Sequence, residues 1–140
     1  MGDWDGDGVD TLAVRRGNTF FVKNVIANGD ADEVFTYGRA EDTAFAGDWD
    51  GDGVDTLAVR RGDTYFIKNT ILGGYADYES VFGSESDEVL MGDWNDDGVD
   101  TPLLRAADRF VVFNDFNDGA PAFEFSLGEG TELAYSARLR

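Results

Sequence analysis

The chain has 140 residues, 42% of them hydrophobic and 14% aromatic, enough to bury one modest core and so to make one domain or part of one. Asp and Glu number 29 against 11 Lys and Arg, a formal charge of -18 that points away from nucleic acid and anionic membranes and towards cations. Cysteine and histidine are both absent, which excludes disulfides, thiolate zinc sites, Cys nucleophiles and His-based triads and leaves only carboxylate chemistry.

Met1 leads straight into Gly2-Asp3-Trp4 with no charged region followed by an apolar one, and no run of 18 apolar residues occurs. Neither a signal peptide nor a membrane span is therefore expected in this sequence. From Gly2 onwards the chain repeats itself with a period of 45 residues. The segment Gly2-Asp3-Trp4-Asp5-Gly6-Asp7-Gly8-Val9-Asp10-Thr11-Leu12-Ala13-Val14-Arg15-Arg16-Gly17 recurs unchanged from Gly47 to Gly62 and with drift from Gly92 to Ala107. Three units follow without insertion, 2–46, 47–91 and 92–136.

Within a unit, apolar residues alternate over short runs bounded by Gly, Asn and Asp, which is the punctuation of strands and not of helices. The second unit predicts four strands: Ala44 to Trp49, Thr56 to Arg61, Thr64 to Asn69 and Glu79 to Phe82, with Thr70 to Asp77 as a connecting loop. In the third of these, Tyr65 and Ile67 should face one side and Phe66 and Lys68 the other. Four short antiparallel strands every 45 residues predict an all-β fold of β-propeller blades, with a stacked β-solenoid as the competing architecture. Three blades are too few for a ring, which usually needs four to eight. Closure is thus expected through missing repeats or through oligomerisation. Residues 131–140, around Glu132-Leu133-Ala134-Tyr135-Ser136, read as a spare closing strand that would pair with Thr11 to Arg16. Pairing with another copy would make a six-bladed ring from two chains.

Between the first and second strands of each unit lies an acidic loop: Asp3, Asp5, Asp7 and Gly8; Asp48, Asp50, Asp52 and Gly53; Asp93, Asn95, Asp97 and Gly98. Alternate oxygen donors on a tight loop converge on one hard cation, and calcium suits them best. Carboxylates held close together repel, and a divalent ion removes the conflict. An EF-hand begins with the same spacing, yet it needs a bidentate Glu at the twelfth loop position. Val14, Val59 and Leu104 stand there, so that reading fails. The expected side-chain ligands are the Asp3, Asp5 and Asp7 set and its equivalents. Val9, Val54 and Val99 would add a backbone carbonyl, and Asp10 or Thr11, Asp55 or Thr56, and Asp100 or Thr101 the closing donor. Three bound calcium ions would bring the charge to about -12, and ions that bind only the folded chain raise its stability.

These residues make the units resemble the FG-GAP/VCBS repeats, the calcium-loop propeller blades of integrin α-subunits and of many bacterial secreted proteins. The Gly-Asp-Trp-Asp-Gly-Asp-Gly-Val-Asp-Thr-Leu-Ala-Val segment is similar to actinobacterial arrays attached to secreted hydrolases. The resemblance implies a secreted or cell-surface setting and a wall-binding or adhesive role. In the family pattern the last acidic ligand immediately precedes the Leu; here Thr11, Thr56 and Thr101 stand there in the aligned units, with the acid one place earlier.

Other repeated residues have plainer expectations. Trp4, Trp49 and Trp94 should pack between blades with their indole N–H groups bonded, although a sugar-stacking role would make the chain lectin-like. Arg15-Arg16 and Arg60-Arg61 should neutralise acids on a neighbouring blade. Phe35-Thr36-Tyr37-Gly38, Val81-Phe82-Gly83 and Phe125-Ser126-Leu127-Gly128 read as core and turn. Every Asp repeated in all three units belongs to the loop, so no catalytic pair stands out, and the expected function is a non-catalytic binding, adhesion or scaffold module. A self-assembling fragment is the further alternative.

Overall fold

The structure, a computed structural model, describes residues 1–136. It is all-β, with three antiparallel sheets. The first holds β1 (Ala13–Arg16), β2 (Thr19–Val22) and β3 (Glu33–Thr36). The second holds β4 (Thr43–Gly47), β5 (Thr56–Arg61), β6 (Thr64–Ile67) and β7 (Tyr78–Val81). The third holds β8 (Glu88–Gly92), β9 (Thr101–Ala106), β10 (Arg109–Val112) and β11 (Phe123–Ser126). Each sheet is a meander whose strands pair in chain order.

The alternation in β6 settles as its sequence demands, with Tyr65 and Ile67 fully buried and Thr64 and Phe66 only partly so. The strand ends differ from expectation by one or two residues, for local reasons. The first strand stops at Gly47 because Asp48 turns its carboxylate onto backbone N–H groups of the following loop. The third stops at Ile67, since the Asn69 N–H is captured by the Asp77 carboxylate at 2.7 Å and the chain turns into the connecting loop. Across that loop Asp77 N–H returns to Ile67 O, and the fourth strand starts at Tyr78.

The β1–β2 and β5–β6 hairpins turn on Gly17 and Gly62, whose φ values of 61° and 63° lie in the left-handed region. In the third sheet the same turn carries Ala107 at φ 59°. A Cβ in that conformation costs about 1–2 kcal/mol.

The core lies between sheets. One cluster joins Trp4, Phe20, Val22 and Tyr37 of the first unit to Leu57 and Val59 of the second. Another joins Trp49, Tyr65, Ile67 and Phe82 of the second unit to Leu104, Phe113 and Phe116 of the third. Each unit thus presents an aromatic face into which the next unit's second strand inserts. Burying an aliphatic side chain such as Leu57 or Val59 there stabilises the packing by about 1.5–3 kcal/mol each.

Tyr37 and Phe82 are core residues as expected, but Leu127 at the third such position is exposed. Among the described residues, strand β1 has β2 on one side and, beyond its start, only an isolated Gly2–Thr11 bridge. Residues 131–136, expected within a closing strand, form no strand, and 137–140 lie outside the described residues. No described helix is long and apolar enough to cross a membrane.

Candidate metal centre

Each acidic loop is wound around its own first aspartate. The Asp3 carboxylate accepts N–H bonds from Gly6 and Gly8 at 2.8 Å and from Asp7 at 3.1 Å. Asp48 does the same with Gly51, Asp52 and Gly53, at 2.7, 3.2 and 2.8 Å. Hydrogen bonds to a charged acceptor contribute about 1.5–3 kcal/mol each, and both carboxylates are buried at 3% exposure. The third and fifth loop residues are thereby swung in beside the first. Asp7 and Asp52 each take the N–H of the residue two places on, Val9 at 2.8 Å and Val54 at 2.9 Å, with one carboxylate oxygen. That leaves their other oxygen for a ligand.

In consequence Asp3, Asp5 and Asp7 place one carboxylate oxygen each within 4.8 Å of one another, and Asp48, Asp50 and Asp52 do likewise. Oxygens that share one calcium ion at 2.3–2.6 Å lie at most about 5 Å apart, so both loops fit that ion. The donors are all hard oxygens, which suits calcium or magnesium and not a thiophilic metal. Asp50 is solvent-exposed. Partial desolvation, and next the charge of Asp52, push its carboxyl above the usual value.

The third loop departs from the other two. Asn95 replaces an acid, and its side-chain amide donates to Asp97 Oδ2 at 2.9 Å. Asp96 stands where Gly6 and Gly51 stand, at φ 62°. Asp93 still collects N–H bonds from Asp97 and Gly98, at 3.2 and 2.9 Å. Burial works to raise the Asp93 carboxyl, but the loop's N–H bonds outweigh it and hold the group below its ordinary value. Unlike Asp3 and Asp48, Asp93 is half-exposed.

The residues expected to close each shell are engaged elsewhere in part. Asp55 Oδ2 accepts the backbone N–H of Asp3 at 2.7 Å, while Asp55 N–H donates to Asp3 O at 2.7 Å. Asp100 repeats the exchange with Asp48, at 3.0 and 2.7 Å. An acid from one unit therefore clamps the root of the preceding unit's loop. Gly2 and Gly47 leave room for it: a Cβ on Gly2 would come within 2.9 Å of Asp55, and one on Gly47 within 2.8 Å of Asp100. Asp10 holds the equivalent place in the first unit. Thr11 donates its hydroxyl to Lys23 O, and Thr56 and Thr101 are buried at the starts of β5 and β9. Val54 and Val99 lie over the preceding loops, near Gly6 and Gly51, whereas Val9 is exposed.

The tryptophans pack between sheets as expected, with Trp4 and Trp49 at 5% and 4% exposure. Among the described residues their indole N–H groups find no hydrogen-bond partner, a departure from the expected satisfaction, while Trp94 donates to Thr101 O at 2.9 Å. Burial removes Trp4 and Trp49 as flat platforms for a sugar ring. Of the arginines, Arg61 crosses the unit boundary, with Nε and one terminal nitrogen each donating at 2.8 Å to Asp42. Arg15 and Arg60 instead donate to backbone carbonyls of their own units, among them Asp42 O and Asp87 O, and lie over Phe20 and Tyr65.

Sequence reading missed the clamp and also missed Phe116, buried at 4% in the cluster between the second and third units. Phe116 O accepts the Ser80 hydroxyl there. A small Ser80 where the other units carry Phe35 and Phe125 is the signal that a neighbour fills the space. No protein-family model, curated protein or solved structure matches this chain.

Proposed function

We propose that this chain is a non-catalytic calcium-binding module, built of propeller blades of the FG-GAP/VCBS kind and serving as an extracellular scaffold for cell-surface or wall attachment. The observation that carries the reading is the duplicate three-carboxylate cluster, held in both loops by the same net of backbone N–H bonds. A solvated turn has no need for three carboxylates drawn within one ion's reach, because each close pair costs about 1–4 kcal/mol, from bulk water to a protein surface. Calcium offsets that repulsion and ties the loop to the ends of two strands. Asp3, Asp5 and Asp7, Asp48, Asp50 and Asp52 are the proposed ligands of two stronger sites, and Asp93, Asn95 and Asp97 of a weaker third. Extracellular modules of this type bind with dissociation constants of about 10⁻⁴–10⁻³ M.

Burial of Trp4 and Trp49 weighs against the lectin alternative. Calorimetric titration with calcium and, separately, magnesium tests the proposal. Two or more calcium sites are expected, with Asp50→Asn abolishing one; absence of heat with either ion would refute it.

A further inference from the structure

The contacts that join the first unit to the second, and the second to the third, have their two halves displayed again on the outer faces of the first and third units. Val59 lies against Gly38, where a Cβ would meet its two methyls at 3.0 and 3.1 Å, and Leu104 lies in the same way against Gly83. Both insert from a second strand and are buried at 1% and 4%. The equivalent residue of the first unit, Val14, is 63% exposed, and beside it Leu12 is 55% exposed where Leu57 is 4%. On the far face, Leu127 is 65% exposed where Tyr37 and Phe82 are 3% and 2%. The third unit also leaves Gly92, Asp93 and Trp94 half-exposed, while Gly47, Asp48 and Trp49 are buried under the next unit.

The charges match as well. Arg61 lies over the Phe66 ring and reaches Asp42. Arg16 lies over Phe21 in the same posture, and Glu132, at the Asp42 position, gathers the N–H groups of Glu129 and Gly130 much as Asp42 takes that of Arg39.

From this continuity we infer that the face of Leu12, Val14 and Arg16 docks on the face of Trp94, Leu127 and Glu132 of a second copy, with Arg16 pairing across to Glu132. The inference rests on the ring reading above. A propeller closes with four to eight blades, and two copies of the three units present here make six. The assembly is therefore a two-copy ring with the same heterologous contact made twice, and each contact holds the other at high effective concentration.

Sedimentation velocity of the full chain in excess calcium tests this. A single species of twice the 15.3 kDa chain mass is expected. Val14→Asp should halve that mass with the far-UV spectrum unchanged, because Val14 is exposed in the single chain. Arg16→Glu and Glu132→Arg should each weaken the dimer and together restore it. A wild-type monomer at every concentration, masses growing beyond two copies, or a dimer indifferent to Val14→Asp would each overturn the inference. A monomer that still titrates calcium would overturn the docking alone and leave the calcium function standing.

Discussion

The second and third acidic loops share a motif and a position, yet the structure treats them differently. Asp48 is buried, takes three N–H bonds from a loop that turns on Gly51, and has its root clamped by Asp100. Asp93 is half-exposed, its loop turns on Asp96 in the left-handed region, and an amide occupies one of the oxygens an ion would use. Two substitutions, Asn95 and Asp96, and the neighbour separate them. A loop in this fold is shaped by its own first aspartate from within and by the following unit from outside, so the shared Asp and Trp of the last loop meet a different environment.

The largest effect should come from removing the buried loop-organising acid Asp48. Asp48→Ala strands three N–H donors and is expected to cost more than about 3 kcal/mol, against about 1 kcal/mol for Asp93→Ala, by urea unfolding. Equal losses would erase the distinction between the loops. Asp100→Ala acts from the other side of the boundary, leaving the Asp48 N–H unbonded, and should cost about 2 kcal/mol. Next, Asn95→Asp should give the third loop the carboxylate it lacks and tighten its calcium binding ~10-fold, the scale of one added charged donor or about 1.4 kcal/mol. Titration calorimetry reads this as the weak phase merging with the strong one.

Smaller effects sharpen the contrast between hairpins and between boundaries. Ala107→Gly relieves the left-handed Ala at the β9–β10 turn and should stabilise the chain by about 1 kcal/mol in thermal unfolding, while Gly62→Ala should do the reverse. The first boundary carries the Arg61–Asp42 pair and the second has Ala106 in its place. The Arg61 guanidinium holds the Asp42 carboxyl below its usual 3.8. A carboxyl lowered by folding contributes stability above that ordinary value and loses it as pH falls through the lowered one. Urea midpoints should thus drop on acidification below pH 3.8 and drop less in Arg61→Ala.

Much of this was legible because the repeat is nearly exact. The alternation in Thr64–Ile67 and the Asp-x-Asp-x-Asp-Gly spacing give strands and convergent carboxylates by local rules, and those rules hold. Strand ends were less legible, since Asp48 and Asp77 capture backbone N–H groups with side chains and end the pairing early. The clamp was not legible at all. Repetition shows that Asp10, Asp55 and Asp100 are equivalent, but a period of 45 residues cannot say that Asp55 reaches back 52 residues to Asp3. Phe116 escaped for the opposite reason: it stands in a connecting loop where the third unit departs from the repeat.

The most direct measurement is thermal unfolding of the full chain in excess calcium and in chelator. A chain whose clustered carboxylates are held together by an ion should melt at a clearly higher temperature with calcium, and Asp5→Asn with Asp50→Asn should remove most of that difference. Coincident melting curves in calcium and chelator would contradict it.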